Sequence, residues 1–187
     1  MFPDIVSLEE ALNAASEDSR VLAADLTEEE GIRRPAPESW SIAECMDHLA
    51  VTNRVYLAAM QSAAARARSK GRLRRGPATP GWFGSWFARQ LEPPLKPGRK
   101  MPAPQKSRPR QNPSLADAYA SFLAEQQRVH GFLQANADLD LTGVRFANPF
   151  VPGLRFSLAS GLNIILAHER RHLWQAQQIL IAANQKG

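Results

Sequence analysis

The sequence predicts an all-α protein, a four-helix bundle, and two observations support this fold class. Four long segments repeat apolar residues at helical spacing, and no segment shows the alternation of a convincing strand. Long helices without strands are typical of a bundle, in which each helix buries one apolar face. Of the 187 residues, 44% are hydrophobic and 22% are charged, so we expect one folded domain over residues 1–187.

The first helix is predicted to begin at Ser7, because Ser7-Leu-Glu-Glu10 has the form of a capping box. Apolar residues then recur at helical spacing as far as Leu26. The stretch 31–37 contains two prolines, and proline cannot continue the helical hydrogen-bond ladder. We therefore expect the first helix to end before this stretch.

The second helix is predicted to begin at a similar capping box, Ser41-Ile-Ala-Glu44. Trp40 precedes the cap, in the position of a hydrophobic staple. Apolar positions continue from there to an alanine-rich end near Ala67.

The third and fourth helices are read from their caps and their apolar periodicity. The third is predicted to follow Ser114, with buried candidates as far as Phe132. A connection over residues 136–156 contains glycine and proline, and no convincing strand can be read in it. The fourth helix is predicted from about Ser157 to Ala183.

Residues 66–112 form a basic insert between the second and third helices. The insert holds 13 lysines and arginines against one acid, whereas the whole chain carries a net charge of only +5. The rest of the chain is therefore net acidic. Eight prolines and five glycines exclude a long helix here, although residues 81–91 could form a short amphipathic one.

Three roles are open for the basic insert. Its cations and its aromatic residues, which include Trp82 and Trp86, could attract nucleic acid through phosphate contacts and stacking. They could also bind an anionic membrane surface. We favour the third role, a solvated connection held to the helices by its aromatic residues, so that nucleic acid is not an expected partner. Such a connection could also be a lid that attracts carboxylate-bearing substrates.

The residues that point to chemistry are histidines. His168 and His172 lie one turn apart on the fourth helix, so both imidazoles can reach one ion. His48, about two turns into the second helix, is the favoured third ligand, since bundles often build metal sites from inward-facing residues of different helices. Three imidazoles would leave coordination positions open, which is typical of a catalytic ion. The alternative is that each histidine is hydrogen-bonded within the core.

The segment His168-Glu-Arg-Arg-His172 also matches the short signature of zinc metalloproteases, in which Glu169 would be the general base. Those proteases usually take a third ligand downstream, and no Glu, Asp, His or Cys follows His172. We therefore predict that Glu169 is a solvated surface acid that can pair with a neighbouring arginine, and not a catalytic base.

The segment 40–49, which includes His48, together with His168-x-x-x-His172-x-x-Gln175, resembles the DinB-like superfamily. The resemblance covers nearly the whole chain. It implies an up-down-down-up four-helix bundle, usually a homodimer, with a long connection between helices two and three. It also implies a zinc- or nickel-type ion on His48, His168 and His172. The superfamily includes damage-inducible proteins of unknown activity and bacterial thiol-dependent S-transferases.

Four further polar residues lie near these motifs. Gln175 could orient a metal ligand or a bound water, or only hydrogen-bond between helices. Glu44 could act as a base, although its capping role explains it more simply. Cys45 is expected to be a small buried thiol. His130 ends the third helix, matches no ligand position and is expected at the surface or at the helix end.

The predicted function is metal-dependent thiol S-transfer or hydrolysis of a small-molecule substrate, with a low-molecular-weight thiol as a candidate co-substrate. The alternative is a stress-related metal-binding module without catalysis, and nucleic-acid binding through the insert is a further alternative. The single cysteine excludes an internal disulfide. No secretory signal or transmembrane segment is recognised, so we expect a cytoplasmic protein.

Overall fold

The computed structural model describes residues 2–24, 26–94 and 103–185, and most of them are helical. The helices are α1 (Pro3–Ala24), α2 (Glu28–Ile32), α3 (Ile42–Ser69), α4 (Gly81–Arg89), α5 (Leu115–Ala135) and α6 (Leu158–Asn184). A 3₁₀ turn, Gln105–Ser107, precedes α5. The mostly helical architecture that the sequence predicts is confirmed. None of the helices among the described residues has the length and apolarity that a membrane span requires.

The four long helices pack in a regular neighbour pattern. Helix α3 packs against α5 and α6, and α1 packs against the same two helices. The buried apolar residues form two clusters. One contains Leu57 and Met60 of α3 with Leu162 of α6, and the other contains Met46 of α3 with Phe122 of α5. Helices α3 and α6, which carry the histidines, are therefore held against each other by apolar contacts.

The N-terminal region differs from the prediction. Helix α1 begins at Pro3, and Ser7 lies inside it instead of capping it. Proline suits the first turn of a helix because its missing N–H needs no partner there. A separate short helix, α2, follows, and Thr27 caps it by accepting from the backbone N–H of Glu30 at 3.3 Å. The segment Thr27-Glu-Glu-Glu30 is thus a capping box that was not predicted from the sequence.

The starts of the other three long helices agree with the sequence. The hydroxyl of Ser41 accepts from the backbone N–H of Glu44 at 3.1 Å, while the Glu44 carboxylate accepts from the backbone N–H of Ser41 at 2.9 Å. Ser114 and Ser157 cap α5 and α6 in the same way, each accepting from a first-turn N–H. These starts are predictable because a cap is a local arrangement of four residues.

The prediction that the connection 136–156 has no strand is wrong. Strands β1 (Arg145–Ala147) and β2 (Arg155–Ser157) form an antiparallel hairpin in which Phe146 pairs with Phe156. Both phenylalanine side chains are buried. Three-residue strands are too short to show a periodicity in sequence.

The basic insert packs on the helices through the predicted amphipathic helix α4. The rings of Phe83 and Phe87 lie 5.7 and 5.2 Å from that of Phe156. Trp82, in contrast, is 82% exposed. The part of the insert over residues 95–102 lies outside the described residues.

Ion pairs also hold the insert to the helices. Arg68 contacts Asp138 at 2.7 Å, Arg74 contacts Asp4 at 2.5 Å, and Arg110 contacts Asp47 of α3 at 2.6 Å. Three acids outside the insert, of which Asp4 lies in α1, Asp47 lies in α3 and Asp138 follows α5, thus neutralise three of its cations.

Two glycine substitutions test the packing of α4. A Cβ atom added at Gly84 would lie 2.1 Å from the hydroxyl and 2.7 Å from the Cβ of Ser160 in α6. We expect Gly84→Ala to lower the free energy of unfolding by about 1–3 kcal/mol in chemical denaturation, since α4 must move outward. Gly131→Ala in α5 is the control, because a Cβ atom added at Gly131 would lie within 4 Å of no other atom. Gly131→Ala should raise the free energy of unfolding by up to about 1 kcal/mol, because alanine favours a helix more than glycine does. If Gly84→Ala and Gly131→Ala changed stability equally, tight docking of α4 on α6 would be contradicted.

Candidate metal centre

Three histidines converge between α3 and α6. His48 of α3 faces α6, and its Nε2 lies 3.1 Å from Nε2 of His168. The His172 ring centroid is 4.6 Å from those of both other rings. One ligand nitrogen from each residue lies within 4.8 Å of the others. The structure thus brings together the three histidines that the sequence singles out.

A backbone carbonyl orients His48. Its Nδ1 donates a hydrogen bond to the carbonyl oxygen of Ser107, in the 3₁₀ turn of the insert. Because a carbonyl can only accept, the Nδ1 atom carries the proton and the Nε2 lone pair faces His168. Sequence reasoning missed Ser107, because a backbone acceptor has no signature in side-chain type.

The donor set fits a divalent transition metal ion. The Nδ1 atoms of His168 and His172 are buried and have no hydrogen-bond partner among the residues that the structure describes. Nε2 of His48 and Nε2 of His168 lie 3.1 Å apart, so two imidazole nitrogens face each other where a shared cation would be held. Imidazole nitrogens suit zinc and nickel ions in particular.

The local environment keeps all three imidazoles neutral. The pKa of His48 falls to about 4, because burial and the nearby charge of Arg171 outweigh the hydrogen bond to the Ser107 carbonyl. Burial also lowers the pKa values of His168 and His172 well below the usual value, again with a contribution from Arg171. Neutral imidazole is the form that binds metal ions, so the site is ready for a metal at neutral pH.

Trp40 belongs to this site. Its ring centroid lies 4.6 Å from that of His48 and 5.7 Å from that of His172. The sequence predicts it as a staple before α3, and it also packs against the apolar cluster of Met46 and Phe122. Its contact with the histidines appears only when α6 lies beside the start of α3.

The two other polar candidates for the site, Gln175 and Glu44, lie beside the three histidines. Gln175 lines the cavity beside the histidines and slightly raises the pKa of His172, against the larger lowering by burial. Glu44 also lines the cavity, but its carboxylate caps α3 and accepts from Nε of Arg34 at 2.8 Å. The simpler explanation of Glu44, a structural cap, therefore agrees with its contacts.

The histidines open into a cavity of about 860 Å³. Helices α3 and α6 form its floor, and α4, the segment 103–111 and the loop of the hairpin form its walls. Apolar lining residues include Tyr56, Phe87, Phe150 and Ile165. A small organic molecule would therefore find both the candidate metal centre and an apolar surface here.

The prediction for Glu169 is wrong, because this side chain is 0% exposed and not at the surface. Its carboxylate accepts hydrogen bonds from Nδ2 of Asn53 at 2.6 Å and from Nε2 of Gln126 at 3.2 Å. Burial raises its pKa to about 7. Successive helical residues are about 100° apart, so His168 faces the cavity while Glu169 faces α3 and α5. Glu169 does not line the cavity, and this agrees with the argument against a metalloprotease base.

Cys45 and His130 lie away from the centre. Cys45 is buried as predicted, and burial raises the pKa of its thiol. His130 is half-buried on α5 and does not belong to the histidine cluster.

Comparison with known proteins gives one match. A family model described as the DinB superfamily matches residues 11–176, a range that includes all three histidines. A search of curated proteins and a search of solved structures find no match.

Proposed function

The chain belongs to the DinB superfamily, and we propose that it is a metal-dependent enzyme that holds one zinc or nickel ion on His48, His168 and His172. The convergence of these three imidazoles at the floor of a cavity of about 860 Å³ carries the proposal. Three protein ligands leave coordination positions for a substrate, as in catalytic sites. The substrate is a small molecule, in agreement with the size of the cavity.

The proposed reaction is transfer of a low-molecular-weight thiol to an electrophile. The ion would supply Lewis acidity, which favours the deprotonated form of a thiol or a water molecule. The sulfur forms a bond to the electrophilic carbon, the leaving group departs with its bonding electron pair, and the thiol proton passes to solvent. In hydrolysis, the oxygen of a water molecule takes the place of the sulfur.

The chain's own residues position the reactants. The Ser107 carbonyl holds the His48 ring in the orientation that directs Nε2 inward. Tyr56 lines the cavity, and burial raises the pKa of its hydroxyl to about 12, so the hydroxyl stays protonated. It accepts from Nδ2 of Asn148 at 3.0 Å and can donate its own proton to a substrate oxygen. The apolar walls limit access of water to the electrophile.

We further propose that α1, α3, α5 and α6 form the up-down-down-up bundle of a single domain. The packing of α1 and α3 on the same two helices supports this arrangement. The homodimer that the family resemblance implies stays a prediction. Nucleic-acid binding through the insert is disfavoured, because three of its arginines, Arg68, Arg74 and Arg110, already pair with acids outside the insert.

Cobalt substitution tests whether the site is open. The visible spectrum of Co²⁺ depends on ligand number, so 2-mercaptoethanol should change the spectrum when it binds an open position. The change should strengthen as pH rises toward the pKa of the free thiol, about 8.5, because the thiolate is the ligand.

A thiol-conjugation screen with and without a chelator should then show activity only with metal.

The variant His168→Ala, which lacks one of the three proposed ligands, is the control for cobalt substitution. His168→Ala protein treated with Co²⁺ should lack the spectrum altogether. A wild-type spectrum that is indifferent to thiol, azide and pH would indicate a closed site. The protein would then be a metal-binding module without catalysis, which is the alternative function.

A further inference from the structure

Asn148 follows strand β1, and three hydrogen bonds fix the orientation of its side chain. Its Oδ1 accepts from the backbone N–H of Phe150 at 2.8 Å and from that of Val151 at 2.9 Å. Because backbone N–H groups only donate, the amide cannot be turned over, and its Nδ2 faces the hydroxyl oxygen of Tyr56 at 3.0 Å. The loop of the hairpin thus determines which end of this amide Tyr56 meets.

The orientation of Asn148 in turn determines the role of the Tyr56 hydroxyl. An amide NH₂ group donates and does not accept, so the Tyr56 oxygen is the acceptor and its own proton points elsewhere. In the described parts of the chain, no residue accepts that proton. The rings of Phe146 and Phe150 lie 5.9 and 5.4 Å from the Tyr56 ring and hold it in place. Since Tyr56 and Asn148 both line the cavity, the proton is available to a molecule bound there.

Tyr56 and the candidate metal centre lie at different parts of the cavity floor. Tyr56 follows His48 by eight residues on α3, which separates their Cα atoms by about 12 Å along the helix axis. Both residues line the same cavity, and Phe87 and Phe150 contribute apolar surface to its walls. A molecule that contacts the ion and the Tyr56 hydroxyl together is therefore elongated and has its acceptor remote from the ion.

We infer that Asn148 is a positioning residue that fixes the Tyr56 hydroxyl as a hydrogen-bond donor, and that the substrate carries a carbonyl oxygen that accepts this bond. An amide that donates to a phenol oxygen polarises the O–H bond and strengthens its donation. A carbonyl oxygen has two lone pairs and no proton, so it is matched to a fixed donor. The inference rests on the proposed function, since it names the substrate class of the same cavity.

Raman spectroscopy tests the role of Asn148 without a ligand. The tyrosine Fermi doublet reports whether a phenol hydroxyl donates or accepts, and Tyr119→Phe leaves Tyr56 as the single tyrosine. In that background, Asn148→Asp keeps an oxygen for the two backbone N–H groups but removes the NH₂ donor. Tyr56 must then donate to the carboxylate, and the intensity ratio of the doublet should move toward that of a strong donor. An unchanged ratio overturns the inference.

Two matched probes, 1-indanone and indane, test the substrate class. They share one ring system, and only indanone has a carbonyl oxygen. We expect Tyr56→Phe and Asn148→Asp each to weaken the binding of indanone to metal-loaded protein by about three- to tenfold, the usual effect of one neutral hydrogen bond, and to leave the binding of indane unchanged in calorimetric titration. The carbonyl stretching frequency of bound indanone should also be higher in both variants than in wild type. Equal effects on both probes, or no binding of indanone to wild type, overturn the inference.

Asn163→Asp is the matched control for Asn148→Asp. Asn163 lies on α6, donates to the backbone oxygen of Ala159 and does not line the cavity, so the variant should keep the wild-type affinities and carbonyl frequency. If Asn148→Asp does not fold, Tyr56→Phe decides alone, because a carbonyl frequency in that variant equal to the wild-type value overturns the inference.

A metal-site variant separates this inference from the proposed function. The carbonyl frequency of bound indanone should be the same in His168→Ala as in wild type, since Tyr56 and not the ion holds the oxygen. If the low frequency disappears in His168→Ala and persists in Tyr56→Phe, the carbonyl binds the ion, and the inference is wrong. Wild-type protein that takes up no metal contradicts the proposed function, whereas the Raman and infrared measurements can still be made on that sample.

Discussion

His168→Ala is expected to lower the affinity of the protein for zinc or nickel by at least about 100-fold. Even the loss of a group that only orients a metal ligand costs about 10–100-fold, and this substitution removes a ligand itself. His48→Ala and His172→Ala should have effects of the same size, because one nitrogen of each lies within 4.8 Å of the others. Metal content after dialysis against a fixed free-metal concentration, determined by plasma emission spectrometry, provides the measurement.

His130→Ala is the matched control for the ligand variants. This histidine lies on α5 and is not part of the histidine cluster, so its loss should leave metal content unchanged. Full metal occupancy in His48→Ala would contradict a site shared by α3 and α6. The ion would then be held by α6 alone or at another place.

Glu169→Ala should lower the free energy of unfolding by about 2–5 kcal/mol, the second large effect we expect. The substitution leaves the amide donors of Asn53 and Gln126 unpaired in the core, at a cost of about 1–3 kcal/mol for each group. It also leaves a cavity where a side chain with 0% exposure had packed. Urea denaturation of the metal-free protein measures the change without a contribution from bound metal.

Glu169→Gln is the control, because glutamine keeps the shape and its oxygen can still accept from one of the two amides. Its NH2 group can donate to the other amide once that amide turns its unpaired oxygen toward residue 169. We expect it to retain metal, since Glu169 does not line the cavity. Loss of metal or of activity in this variant would give Glu169 a direct role in the site. That outcome would revive the metalloprotease interpretation of the His168–His172 segment.

The comparison of wild type with Glu169→Gln should depend on pH. Burial raises the pKa of Glu169 from 4.5 to about 7, so its stabilising contribution is fully present below pH 4.5 and is lost as pH rises through 7. Between pH 4.5 and 8, wild type should lose about 3 kcal/mol relative to the glutamine variant. The histidines titrate in both proteins, so their effect cancels. A difference in stability that does not change with pH would contradict a neutral buried carboxyl.

The features that depend on near neighbours in the chain could be predicted from the amino-acid sequence. Ser41, Ser114 and Ser157 mark the starts of three helices because a cap involves only the residues of the first turn. The spacing of His168 and His172 places both imidazoles on one face of any helix that contains them. The family resemblance, read from short motifs around these histidines, agrees with the matched family model.

The groups that surround the histidines could not be predicted from the sequence, because they come from segments far apart in the chain. The Ser107 carbonyl reaches His48 across 59 positions of the chain, and such an acceptor carries no side-chain signal. Glu169 has the polarity of a surface residue, yet α3 and α5 cover its face of α6 and supply two amide partners. Helical spacing determines which residues share a face, but the neighbouring helices determine which face is buried, because burial depends on contacts between segments far apart in sequence.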